Sequence, residues 1–179
     1  MPTRRVSLTM PMPHIAALVV AGLACATDLQ TRRIPNALTF GAAGAAVLFH
    51  LVTAGVNGGV ASVGGLAMGL ALMFAQYALG GMGAGDVKLF GALGAWLGPT
   101  DAIWLVLYTG VAGGVIAFVV AALHGYLGQA CRNIWSLFAY WRLAGIRPMA
   151  EMTLDTSRGP RLAYATSILA GTVATLWLR

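Results

Sequence analysis

Charge is what this sequence has least of. Aspartate and glutamate together number five, charged residues make up 9% of the 179 positions, and mean hydropathy is +0.79, whereas about a quarter of a soluble domain is charged. A water-soluble globular protein is thereby excluded, and the chain reads as an integral membrane protein. Cysteine is nearly absent too. Cys25 and Cys131 show no paired ligand spacing, which argues against both a disulfide framework and a zinc site. The eleven basic residues give a net charge of +6, but they are scattered among polar breaks and never form a basic stripe with stacking aromatics, so nucleic acid is not expected as a partner. Among His14, His50 and His124 there is no H-x-x-x-H, no serine sits in a nucleophile elbow, and no Walker pattern occurs. Metallopeptidase, serine-hydrolase and nucleotide chemistry therefore lack their parts, and no cofactor or metal is expected.

What is plentiful is apolar sequence. Segments at about 13–27, 38–55, 60–79, 87–99, 102–123 and 161–178 are separated by short breaks rich in Gly, Pro, Asn and Arg. They predict an all-α, polytopic protein with about six transmembrane helices, forming one membrane-embedded domain over residues 1–179, since no stretch resembles a linker. The fourth segment is too short for a crossing unless Pro99 to Ile103 join it; otherwise a re-entrant or tilted helix is expected there. Gly65/Gly69, Gly94/Gly98 and Gly110/Gly114 are spaced four apart, the pattern that lets helix backbones approach in lipid, and are expected to serve packing. From Leu127 to Gly145, apolar residues recur at three- and four-residue steps through Leu127, Cys131, Ile134, Phe138 and Trp141. That periodicity predicts an amphipathic helix lying in the membrane interface, followed by an irregular connection over 144–160.

Basic residues are retained on the cytoplasmic side of a membrane. With the N-terminus outside, Arg32, Arg33, Lys88, Arg132, Arg142, Arg147, Arg158 and Arg161 all fall inside, eight of the eleven. Arg4 and Arg5 pull the other way. They also open a signal-peptide reading, with cleavage after "ACA" before Thr27, which would discard the helix leading to Asp28. In the N-out arrangement "DLQTRRIPN" and "GMGAGDVK" share the cytoplasmic face.

The few carboxylates are unevenly placed. Glu151 and Asp155 lie in a polar loop, and Asp101, after Gly98-Pro99-Thr100, reads as a turn or helix cap on the outer side. Asp28 and Asp86 instead abut apolar helices at one membrane face, where an ionisable group is costly enough to imply a function. Glycines 80, 81, 83 and 85 strip side chains from the approach to Asp86, so an extended peptide can come close. Two carboxylates within a few ångströms cannot both stay ionised and titrate as a unit. One then deprotonates a water that attacks an amide carbonyl, while the other hydrogen-bonds the carbonyl oxygen.

Asp28, five intervening residues, Ile34-Pro35-Asn36, and later Gly83-Ala84-Gly85-Asp86 with Lys88 resemble the pattern of the type IV prepilin peptidases, membrane aspartic peptidases with a GxGD motif. The resemblance implies a catalytic pair in Asp28 and Asp86, an active-site loop shaped by Gly83 and Gly85, and Lys88 beside the pair, either tuning it or meeting lipid headgroups. Pro35 and Asn36 also have a structural task, an extended entry and a cap for the second helix. The implied substrate is a prepilin or pseudopilin, an apolar helix with a basic leader, cut on the cytoplasmic face of the bacterial inner membrane. The paired Cys-x-x-Cys segment of larger members is missing. The chain is thus similar to the short forms of tight-adherence (Flp) pilus systems, for which cleavage without N-methylation is expected. Two other readings of the residues stand beside it: a small proton- or cation-coupled transporter or channel component using the same aspartates, and a non-catalytic assembly subunit. The sequence carries no expectation about oligomeric state.

Overall fold

A computed structural model describes residues 11–145 and 164–179. Six α-helices follow in order: α1 (Met12–Thr31), α2 (Asn36–Ala78), α3 (Ala84–Leu97), α4 (Pro99–Leu123), α5 (Leu127–Ala144) and α6 (Tyr164–Leu178). There is no strand among the described residues, and the protein is an all-α membrane protein. Arg4, Arg5, Glu151, Asp155 and the irregular connection expected over 144–160 fall, apart from its first two residues, outside the described residues.

Three helices, α1, α2 and α4, are long and apolar enough to cross a bilayer, while α6, at 15 residues, is a shorter apolar helix. The 43-residue α2 would extend about 65 Å if straight, twice the thickness of a hydrocarbon core. It is not straight. Gly55 has φ 63° and ψ −157°, non-helical values that a residue with a Cβ adopts only under strain. The chain folds back there: a Cβ on Gly58 would collide with the His50 carbonyl, eight positions earlier. The two apolar segments expected at about 38–55 and 60–79 are thus the two arms of α2, 36–54 and 56–78, which meet at a single glycine.

α3 lies at the centre, packed against α1, α2, α4 and α6, and every residue from Leu89 to Trp96 is buried. At 14 residues it spans about 21 Å. Pro99 to Ile103 do not lengthen it, because Gly98 turns with φ 85° and those residues begin α4. Its contact with the second arm of α2 is backbone on backbone. A Cβ on Gly65 would strike the Gly94 carbonyl, one on Gly94 the Gly65 carbonyl, and one on Gly69 the Phe90 carbonyl. Both arms also satisfy carbonyls at the end of α3, which no intrahelical N–H can reach: Ser62 Oγ donates to Ala95 O at 2.8 Å and His50 Nε2 to Trp96 O at 3.1 Å.

Gly110 and Gly114 do not pack as expected, since among the described residues nothing lies within 4 Å of a Cβ built on either. α4 meets α6 through other residues, with Gly171 against Thr109 and Gly113 beside Ser167 and Tyr164. At the far end of this pair Asp101 is in the first turn of α4 with no side-chain cap bond; it pairs instead with Arg179 (Nε to Oδ1, 3.4 Å), whose guanidinium lies over Trp104. α5 forms over the stretch where an amphipathic helix was expected. Among the described helices it packs against α4, and it exposes Ile134, Trp135 and Phe138.

Candidate active site

Asp28 sits in the last turn of α1. Its carbonyl accepts the Arg32 N–H at 2.8 Å, and Arg32 closes the helix in the left-handed conformation, φ 53°. The helix cannot run on, because Pro35 holds Ile34 out of the helical region. Pro35, extended at ψ 135°, is the N-cap of α2, and Asn36 is its first helical residue.

Asp86 is in the first turn of α3, three residues after the N-cap Gly83. Its carboxylate reaches back to the Gly83 backbone, half of the reciprocal bonding of a capping box. A Cβ on Gly83 would stand 3.1 Å from Asp86 Oδ2, tighter than ordinary contact, so glycine there leaves room for the carboxylate. Gly85 has a different task. A Cβ on it would stand 3.3 Å from Ile34 Cβ, so its bareness lets the I-P-N segment lie directly on the G-A-G-D turn. The same two segments are joined a turn further on by Lys88, whose Nζ donates to Asn36 Oδ1 at 2.9 Å and lies 5.1 Å from the Phe40 ring centre. One expectation is corrected here. Asn36 makes no capping bond, its side-chain oxygen being taken by Lys88. Lys88 is clasped to the start of α2, and among the described residues no ion pair joins it to either carboxylate.

The pair is electrostatically joined. The Asp86 carboxyl is pushed up to about 6, by burial first and by the Asp28 charge second, against the hydrogen bond from Gly83. Such a group exchanges its proton within the range where cells work, and a carboxylic acid there donates a hydrogen bond as readily as a carboxylate accepts a proton. Two partly buried carboxylates, one beside a turn cleared of side chains, suit proton transfer to and from a water and an amide.

Two of the three histidines are engaged elsewhere: His50 on α3, and His124 Nδ1 at the Val120 carbonyl, 2.9 Å away. Among the described residues no group of three or more His, Cys, Asp or Glu is placed to hold a metal. Both cysteines are free, Cys25 buried one turn before Asp28 and Cys131 exposed on α5.

One neighbour of the pair is not legible in the motifs. The Ala165 N–H, in the first turn of α6, donates to Asp28 Oδ2 at 3.4 Å. A contact across 137 positions leaves no local signal, and residues 161–178 read only as another apolar segment.

The model of the type IV leader peptidase family matches residues 15–118. That stretch contains Asp28, the I-P-N and G-A-G-D segments and Lys88, and ends before α5 and α6. No curated protein and no solved structure matched the chain.

Proposed function

The chain belongs to the type IV leader peptidase family, and from that premise we propose that Asp28 and Asp86 are its catalytic dyad, cleaving the leader peptide of Flp-type prepilins at the cytoplasmic membrane face. As a member of the family it is a membrane peptidase, acting on prepilins in a lipid setting. The observation that carries the finer reading is the raised Asp86 carboxyl, which feels the charge of an aspartate from another helix beside a turn where Gly83 and Gly85 make room.

In this mechanism the pair carries one proton. The ionised carboxylate takes a proton from water, the water oxygen attacks the scissile carbonyl, and the protonated partner donates to the developing oxyanion. The proton taken from water passes to the leaving nitrogen, so each turnover returns the dyad to its starting state. No metal and no covalent intermediate take part. A prepilin, being one apolar helix behind a short basic leader, enters sideways from the bilayer, and its scissile bond meets the carboxylates at the interface. Without a Cys-x-x-Cys segment the proposed product is an unmethylated pilin.

Co-expression with prepilins from the same genome tests the dyad, reading precursor size on gels and the new N-terminus by mass spectrometry. Wild type processes one precursor; Asp28→Asn and Asp86→Asn, inserted normally, each abolish processing, a loss of at least about a thousandfold expected when an acid–base group is removed. Normal processing by both variants would overturn the assignment.

A further inference from the structure

An ionised carboxylate in the last turn of a helix is badly placed. Its own helix offers it no free N–H, and the partial negative charge of the helix end repels it. Asp86, at the start of α3, has the Gly83 backbone to hold it; Asp28, at the end of α1, has none of its own and takes an N–H from the start of α6. That helix carries neither motif and lies beyond residue 118, where the family match ends.

The donor is fixed by packing. Ala165 is fully buried, Gly171 brings α6 against Thr109, and Arg179 ties the other end of α6 to Asp101. Tyr164 lies over Gly113 of α4, its ring carbon 3.7 Å from where a Cβ on Gly113 would be, and within electrostatic reach of Asp86. The first turn of α6 thus bonds Asp28 and lies within electrostatic reach of Asp86. At 3.4 Å the bond to Asp28 is at the long end of the hydrogen-bond range.

We propose that the first turn of α6 is a positioning element of the dyad: the Ala165 N–H orients the Asp28 carboxylate towards Asp86, and Tyr164, wedged on Gly113, holds that N–H in place. The proposal rests on the peptidase reading for its consequence, and on geometry alone for its contact.

The test uses the full-length protein in lipid nanodiscs as wild type, Ala165→Pro and Ala165→Ser. Proline is tolerated in the first turn of a helix and removes the N–H, while its ring also restricts the backbone of Tyr164; serine keeps the N–H, and the α-hydroxy-acid analogue of alanine removes it without the ring. Two readouts are taken: kcat and KM on a prepilin processed by wild type, and the Asp28 carboxylate infrared band, isolated with ¹³C-aspartate by difference against Asp28→Asn. Ala165→Pro lowers kcat roughly tenfold, the effect of one hydrogen bond to a charged group, leaves KM unchanged and shifts the band. Ala165→Ser recovers both. A folded Ala165→Pro protein with wild-type kcat, an altered KM alone, or an unshifted band overturns the proposal. If the proline variant does not fold, the α-hydroxy-acid analogue of alanine at position 165 removes the same N–H with little change of shape and is judged in the same way. If wild type cleaves no prepilin, the peptidase reading falls, and the band alone decides the contact: shifted upholds it, unshifted overturns it.

Discussion

Glycine serves opposite ends in two neighbouring parts of α3. Along its body, Gly94 faces Gly65, and the Phe90 backbone faces Gly69, with only main-chain atoms where side chains would be. At its first turn, Gly83 and Gly85 make room for something that is kept: a carboxylate oxygen in one case and the Ile34 side chain in the other. The first arrangement removes side chains so that two backbones can touch, which in lipid is the main source of helix affinity. The second removes them so that an ionisable group and a second motif can approach. One region spends its small residues on stability, and the other on a group that is destabilised where it stands.

The largest effect that separates the regions comes from the packed one. A Cβ on Gly65 would overlap the Gly94 carbonyl, a backbone atom that yields only if α2 and α3 move apart. Gly65→Ala therefore costs about 3 kcal/mol or more, the upper range of overpacking, and folded yield falls while cleavage per folded molecule is retained. Thermal unfolding in nanodiscs, together with kcat on the folded fraction, reads both. Wild-type stability in this variant would break the contrast at its base.

Next comes a change of opposite sign. The Asp86 carboxyl sits at about 6 rather than the ordinary 3.8, so between those values the folded protein holds a proton that the unfolded chain has released. Stability from this group is therefore complete below about pH 4 and is lost as pH rises through about 6. At neutral pH the penalty is at most about 3 kcal/mol. Asp86→Asn removes it, so the inactive variant melts higher than wild type at pH 7.5, and the gap closes towards pH 4. Asp28→Asn relieves part of the same penalty, since the Asp28 charge is its second cause. In the double variant the two gains fall short of their sum. Equal melting of Asp86→Asn and wild type from pH 4 to 7.5 would show that the site carries no such strain.

The two glycines of the G-A-G-D turn sharpen the contrast from within. Gly83→Ala puts a methyl against Asp86 Oδ2 and turns the carboxylate, so kcat drops roughly tenfold while stability changes by less than about 1 kcal/mol. Gly85→Ala meets Ile34 Cβ at 3.3 Å, an atom that yields only if the Ile34 backbone shifts by a few tenths of an ångström, and costs about 1 kcal/mol with a smaller effect on kcat. Melting temperature and kcat measured side by side distinguish them, and the reverse ranking would mean that Gly83 serves the backbone rather than the acid.

Much of this was legible in the residues, for reasons that can be named. Apolar runs ended by Gly, Pro or Asn marked the helices because backbone groups in lipid must be satisfied within the segment. Asp28 and Asp86 stood out because an acid-poor chain makes each carboxylate conspicuous, and the Ile34-Pro35-Asn36 and Gly83-to-Asp86 segments through their resemblance to a known family's pattern. Three things were not. Lys88 reaches Asn36 rather than the carboxylates, a choice between directions around a helix that spacing does not record. The break after residue 55 was marked, but not that Gly55 itself makes the turn of α2, because Asn57, Gly58 and Gly59 beside it tolerate such a conformation too. And Ala165 reaches Asp28 through a backbone amide, a group every residue but proline carries, so no residue type announces it.

The smallest effect belongs to the pair of glycines whose spacing misled. Gly110 and Gly114 follow the same four-residue step as Gly65 and Gly69, yet among the described residues a Cβ on either meets nothing within 4 Å. α4 is turned so that Gly113 faces α6, which leaves its neighbours on the outer surface beside the exposed Val111, Val115 and Phe118. With no atom to displace and a better helix former gained, Gly110→Ala and Gly114→Ala leave the melting temperature unchanged or raise it, by less than about 1 kcal/mol each. Set beside Gly65→Ala in one melting series, they separate spacing from contact. Glycine four apart permits a close approach, but only the neighbour's backbone makes the glycine necessary. A loss in Gly110→Ala comparable to that in Gly65→Ala would mean that this face of α4 is packed in the membrane by a partner outside the chain.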